Sequence, residues 1–338
     1  MIDSPSPLPD ARQARLVFLG TKDFALPSFE YLFDQHFQLL ALITQPDRPQ
    51  GRRQEIIPAR IRLAAEKRGL PVHQPEDLNA PDGTALLQSL KPDLLVTVAY
   101  GQILKPATLA SATFGGVNLH GSLLPKFRGA APVARAMQSG DAETGVTVIQ
   151  MSSQVDAGGI LGMLSTAIKP DETAASLEAR LGELGAPLLA RALTDFIEGR
   201  TRPEHQDKSL ATRAPKLTKE ESFVNWSLSA ALVDRFIRAM NPWPLARSRF
   251  IPADGRQGVN VLFHVSEVAD MNLSQYPEAG VVVQADKSGI AVSCGDGQAV
   301  LLKTIQTEGR KPLPAIEWAR GSRVITGDRF DSSNQTGE

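Results

Sequence analysis

Residues 93–99 read DLLVTVA, an almost continuous apolar run. Too short for a typical buried helix and lacking a polar face, it predicts a strand covered on both sides, as in the middle of a parallel sheet. Parallel neighbours need crossovers, and the chain supplies them. Strand-like runs at 15–20, 37–44, 116–120, 145–151 and 160–168 alternate with helical patterns at 24–33, 58–68 and 173–198. Pro58 stands where a helix tolerates proline, at its start. Gly69, Leu70 and Pro71 then stop that helix. Alternation of this kind predicts a doubly wound α/β domain over residues 14–199.

The pattern changes after Gly199. Residues 200–219 are polar without sustained apolar periodicity, which predicts a linker. A helix is expected at 227–240, broken by Asn241-Pro242-Trp243-Pro244. Short β-like runs follow at 259–265, 280–283, 290–294 and 299–305, separated by Gly- and Asp-containing turns. They predict a small β-barrel domain over 220–328. Residues 1–13 and 329–338 read as disordered tails.

Length suits two domains, and a net charge of -1 gives no global basic field for nucleic acid. Cys294 is the single cysteine, so an internal disulfide or a multi-Cys metal site is excluded. His36, His73, His120, His205 and His264 show no metal-ligand spacing, and no metal is expected. No apolar run is long enough to cross a bilayer, and the start, MIDSPSPLPDARQ, has neither an apolar core nor the acid-poor composition of a targeting peptide. The expectation is a cytoplasmic protein.

Residues 115–132, GGVNLHGSLLPKFRGAAP, hold the chemistry-bearing pattern. On a strand, Asn118 and His120 share one face, and Val117 and Leu119 the other. Ligands of open α/β sheets bind beyond the carboxyl ends of the strands, where this pair would lie. Two directed donors side by side suit an oxygen that gains negative charge in a transition state. They equally suit neighbouring loop backbone. Asp156, in the loop QVDAG, is either a turn residue or the carboxylate that orients His120 and supports its charged form. Ser122 lacks a G-x-S-x-G elbow, which favours direct transfer over a covalent intermediate. The turn Gly20-Thr21-Lys22-Asp23-Phe24 lacks G-x-G-x-x-G, which argues against a nicotinamide cofactor. Arg48, Arg52 and Arg53, in a polar loop over 45–57, are either solvated or phosphate-binding. The same choice holds for Lys208, Arg213, Lys216, Lys219, Arg235 and Arg238.

The run NLHGSLLPKFRGAAPV closely resembles the signature of the folate-dependent formyltransferases. QPDRPQGR, VAYGQIL, GDAETGVTVIQM, KLTKEES with Asn225-Trp226, and RAMNPWP extend the resemblance over nearly the whole chain. They point to the branch of that family that formylates initiator methionyl-tRNA. The resemblance implies a Rossmann-like N-terminal domain, a linker and an OB-like C-terminal barrel that binds tRNA, in a monomer. It implies transfer of a formyl group from 10-formyltetrahydrofolate to the amino group of initiator methionyl-tRNA. Asn118, His120 and Asp156 fall on catalytic positions, and Ser122, Leu123, Leu124 and Pro125 on the folate-contact segment. Arg52 falls on a loop that enters the tRNA acceptor arm, flanked by Arg48 and Arg53, with Lys216 as a further tRNA contact. The chain departs from the common pattern in GTKDF for GTPDF, GRRQE for GRGKK, and Asn225 for Asp. Formyl transfer to a sugar nucleotide or to glycinamide ribonucleotide shares the central signature. A non-catalytic RNA-binding protein is the reading from another class.

Overall fold

The protein is seen as a computed structural model that describes residues 10–50, 55–271, 273 and 278–331. By contacts it divides into two compact units. The first holds residues up to Pro132, Glu143–Ala167 and Glu178–Ala214. The second holds Val133–Ala142, Ile168–Leu177 and the chain from Pro215 on.

The first unit runs β1 (Leu16–Gly20), α1 (Leu26–Asp34), β2 (Leu39–Ile43), α2 (Arg60–Lys67), β3 (Val72–His73), α3 (Pro81–Leu90), β4 (Leu94–Val98) and β5 (Gly116–His120). After α4 (Pro132–Ser139), whose residues from Val133 belong to the second unit, come β6 (Glu143–Gln150) and β7 (Ile160–Ala167). The helix α5 (Ala174–Ile197) joins this unit from Glu178 on. The sheet order is β7-β6-β5-β4-β1-β2-β3. The strands from β3 to β5 are parallel, and β6 and β7 are antiparallel additions. This is the Rossmann-like, doubly wound arrangement. Every residue of β1 and β4 is buried, as expected of strands covered on both faces. Fully burying a side chain such as Leu19 stabilises the fold by roughly 1.5–3 kcal/mol. Helix α5 approaches β5 closely at Gly185, where a Cβ would come 2.6 Å from Leu119 Cδ2.

The second unit contains α6 (Ala230–Ala239), β8 (Ala246–Ile251), β9 (Val259–Ala269), β10 (Val282–Asp286), β11 (Gly289–Ser293), β12 (Ala299–Thr307), α7 (Ala315–Ser322) and β13 (Arg329–Asp331). Its antiparallel sheet runs β10-β11-β12-β9-β8-β13. Val281 bridges Arg329, and Phe330 N–H donates to Gly280 O at 2.7 Å, so the two edges meet in an OB-like barrel. Inside it, Phe330 packs against Trp226, Phe250, Phe263 and Trp318 with ring centroids 5.3–6.3 Å apart. Trp226 Nε1 donates to Ser248 Oγ at 3.2 Å. Asn225 Oδ1 accepts from Ser227 N and Oγ at 3.1 and 2.6 Å, so its amide fills the acceptor role a carboxylate would.

Several elements differ from expectation. Helix α3 was not anticipated, because Pro81-Asp82-Gly83 reads as a turn; here Pro81 occupies the first helical position. Strand β8 was hidden because its inward residues, Ala246 and Ser248, are small or polar beside two arginines. Residues 329–331, read as tail, form β13. At the other end, residues 10–13 make a turn with Ala11 buried. The expected tails over 1–9 and 332–338 lie outside the described residues. The polar stretch from 200 is pinned to the first unit: Glu204 pairs with Ile160, and Arg213-Ala214 runs parallel to Arg128-Gly129.

Candidate active site

Strand β5 places Asn118 and His120 on one face at the carboxyl edge of the sheet, opposite Ile149 and Thr147 of β6. Asn118 is half-buried, and its carboxamide has no hydrogen-bond partner among the described residues. Its polar atoms are not sealed from solvent, so this amide is open to a ligand. His120 is 6% exposed and firmly placed: Nε2 lies 2.9 Å from Phe127 O, and Nδ1 lies 3.5 Å from Asp156 Oδ2. Both neighbours are acceptors. The neutral ring donates to one of them, the imidazolium to both.

Asp156 is brought in by the loop after β6. Its φ is +50°, a left-handed conformation that aspartate tolerates better than most residues. Its Oδ2 accepts from Gly129 N–H at 2.8 Å. The loop closes back on the sheet: Gln150 N–H donates to Gly159 O at 2.8 Å, and Met151 N–H to Gly116 O at 2.7 Å. At Gly158 a Cβ would fall 1.7 Å from Gln150 O, so no other residue fits without moving the loop. The structure thus brings Asp156 to the strand that carries Asn118 and His120, more than thirty residues earlier in the chain.

The segment after His120 is templated by a buried hydroxyl. Thr147 Oγ1 donates to Ser122 O at 2.6 Å and accepts from Leu124 N–H at 3.1 Å. Ser122 is buried, and its Oγ donates to Lys126 O at 2.7 Å. Leu124 is buried too, so Leu123 and Pro125 are the half-exposed members of the four.

The arginine-bearing loop is built differently. Pro49-Gln50 pairs with Glu55-Ile56 as a small hairpin, where only an irregular loop was expected. Arg48, 68% exposed, meets the exposed Glu76. Arg52 and Arg53 lie outside the described residues. Of the other basic residues, Lys216 is exposed, whereas Arg238 is not available to nucleic acid. Its guanidinium is 8% exposed, paired with Asp234 at 2.8 Å and donating to Glu172 O at 2.8 Å. Arg235 likewise donates to Gly140 O. Both are engaged inside the second unit, Arg238 by an acid and Arg235 by a carbonyl.

Cys294 is buried, and burial pushes its thiol up to about 12, so it is no nucleophile at neutral pH. Among the described residues, no three His, Cys, Asp or Glu side chains gather as a metal site. Among the described residues, no helix is long and apolar enough to cross a membrane. Sequence reasoning missed Thr147, Arg128 and Gln206. Gly129 and Phe127 lay within the motif, but their backbone groups carry no residue-type signal.

Two family models match the chain: formyl transferase over residues 14–193 and formyl transferase, C-terminal domain, over 216–323. A methionyl-tRNA formyltransferase of Hydrogenovibrio crunogenus is 38% identical over 313 residues, covering 93% of this chain and 97% of that one. Among solved structures, the N-formyltransferase from Helicobacter canadensis, in complex with folinic acid and dTDP-3-aminofucose, superposes with a TM-score of 0.65 at 17% identity, covering 87% of this chain and 100% of that one. HypX from Aquifex aeolicus, in complex with tetrahydrofolic acid, superposes at 0.60 and 17% identity, covering 91% of this chain and 47% of that one. The likeness to these two structures is one of fold.

Proposed function

The chain belongs to the formyl transferase family through both of its domains, and we propose that it transfers a formyl group from 10-formyltetrahydrofolate to the free amino group of initiator methionyl-tRNA. The observation that carries this reading is the 38% identity, over 93% of the chain, to a methionyl-tRNA formyltransferase. The Asn118, His120 and Asp156 geometry supports it.

The amine nitrogen attacks the formyl carbon, and the carbonyl oxygen becomes an oxyanion. The unpartnered Asn118 carboxamide donates to it. His120 Nε2–H, which rests on Phe127 O, transfers its hydrogen bond to the oxyanion as the charge develops; catalytic bonds often tighten only in the reacting complex. Asp156 faces Nδ1 and stabilises the imidazolium. The amine proton leaves to Asp156 through water, whose path is Oδ1, the oxygen with no partner among the described residues. The tetrahedral intermediate collapses, the bond to the folate nitrogen breaks, and that nitrogen takes up a proton. The folate lies along Ser122, Leu123, Leu124 and Pro125, with Leu123 and Pro125 as its apolar contacts. Arg48, Arg52, Arg53 and Lys216 contact tRNA phosphates, and the C-terminal barrel binds tRNA as well. The enzyme works as a monomer in the cytoplasm, where initiator tRNA is charged and used.

The test is to incubate the protein with 10-formyltetrahydrofolate and methionylated initiator tRNA and to assay formylmethionine released from the tRNA. Formylmethionine is the expected product. Formylation of an amino sugar nucleotide in its place, or of no amine at all, overturns the assignment. Light scattering of the purified protein checks the monomer.

A further inference from the structure

The Asp156 loop is held from outside by a residue that composition assigns to a linker. Gln206 is 9% exposed. Its Nε2 donates to Asp156 O at 2.9 Å and to Gly158 O at 2.7 Å. Its Oε1 accepts from Arg128 Nε at 3.1 Å and Nη2 at 2.6 Å. The amide orientation follows from its partners. Turned over, the oxygen would face two carbonyls and the NH2 a guanidinium.

Arg128 is the middle of three consecutive residues that all serve the site. Phe127, at φ +60°, turns its carbonyl onto His120 Nε2. Gly129 presents its N–H to Asp156 Oδ2. Arg128 itself reaches Gln206. One buried amide therefore ties the loop that carries Asp156 to the loop that seats His120. Asp156 adopts a left-handed conformation whose carbonyl is turned away from any strand partner, and Gln206 meets that carbonyl. A non-glycine residue held at positive φ persists only where its surroundings over-determine it.

We infer that Gln206 is a positioning residue for formyl transfer, fixing the distance between the Asp156 carboxylate and the His120 ring. This rests on the reading of Asn118, His120 and Asp156 as the transfer site. Gln206 touches no reacting atom and acts through Asp156.

The experiment compares wild type, Gln206→Met, Asp156→Ala and the double variant by formyl transfer, with the ring-nitrogen NMR signals of His120 as a second readout. Gln206→Met should lower kcat about 10- to 100-fold, the scale of a misplaced catalytic group, while each KM stays within about twofold. In the Asp156→Ala background the same substitution should cost nothing further, because the residue it acts through is gone. The His120 signals should move in Gln206→Met in the direction that Asp156→Ala moves them. Equal losses in both backgrounds, an unchanged kcat, or unmoved His120 signals overturn the inference. If Gln206→Met fails to fold, Arg128→Met releases the other end of the tie and is read by the same criteria. Wild type that transfers no formyl group defeats the functional reading alone. The NMR comparison still decides whether Gln206 sets the Asp156–His120 pair.

Discussion

The segment from Gly116 to Gly129 and the segment from Gln45 to Ile57 both leave the carboxyl edge of one sheet, and they are held in opposite ways. In the first, every turn is fixed from inside: Thr147 on Ser122 and Leu124, Phe127 O on His120, Gly129 N–H on Asp156. In the second, Gln45 and Asp47 are held at the base by Thr21, Gln74 and Arg62, but from Arg48 on the described residues are tied by solvent-facing groups, Arg48 to Glu76 and the edge pair of Pro49 with Ile56, while Ile56 and Ile57 stand 63% and 54% exposed. Exposed ion pairs contribute little and loosen in salt. The contrast separates two kinds of work. Stabilising a transient oxyanion needs donors set before the reaction starts. The contact proposed for the second, with tRNA phosphates, needs only charge that the ligand can reach.

The sharpest way to break the comparison is to remove a donor from the rigid segment. Asn118→Ala and His120→Ala should each lower kcat about 10²–10³-fold, the usual cost of one oxyanion donor, with unfolding temperature nearly unchanged for Asn118→Ala. Turnover near wild type in either would return the pair to a backbone-supporting role. Gly158→Ala comes next. Its methyl collides with Gln150 O, so the loop must shift; we expect at least a tenfold fall in kcat and about 1–3 kcal/mol of lost stability in a denaturant titration. If both stay at wild-type values, the loop is less constrained than its geometry indicates. Asp156→Asn keeps the shape and removes the charge. A loss of about tenfold in kcat with a changed pH–rate profile is expected. An unaltered profile would leave Asp156 as a turn residue. The smallest effect belongs to the arm. Arg48→Ala and Arg52→Ala should each reduce kcat/KM for tRNA by severalfold and lower the salt dependence of tRNA binding by about one unit of slope per lost phosphate contact. Folate affinity and unfolding temperature should stay put. Equal loss for both ligands would mean that the arm and the rigid segment are one structure after all.

What the sequence made legible follows the same division. Strands β1 and β4 announced themselves because burial on both faces demands near-continuous apolar runs. The Asn118 and His120 pair was readable because a strand's period of two puts alternate residues on one face. Asp156 needed the family resemblance, since a lone loop aspartate looks like any turn. Gln206 was invisible. It sits among polar residues in a segment with no periodicity, and the partners through which it holds the Asp156 loop are carbonyls, which leave no trace in side-chain composition. Arg238 misled for a related reason. Sequence shows the charge and an Asp234 one helical turn away, but not that the pair is buried.

The barrel's last strand has a consequence for how this chain can be cut. Arg329–Asp331 lies between β8 and the stretch just before β10, beside Gly327 and Asp328, which bond to Val282 and Ala253 along the same seam. A chain ended after Asp328 keeps most of its aromatic interior yet loses Phe330 from the middle of it. It also exposes two rows of unpaired backbone groups facing outward. Open edges of that kind recruit strands from other molecules. Removing three residues at the seam should therefore raise the tendency of the barrel to pair with its own copies.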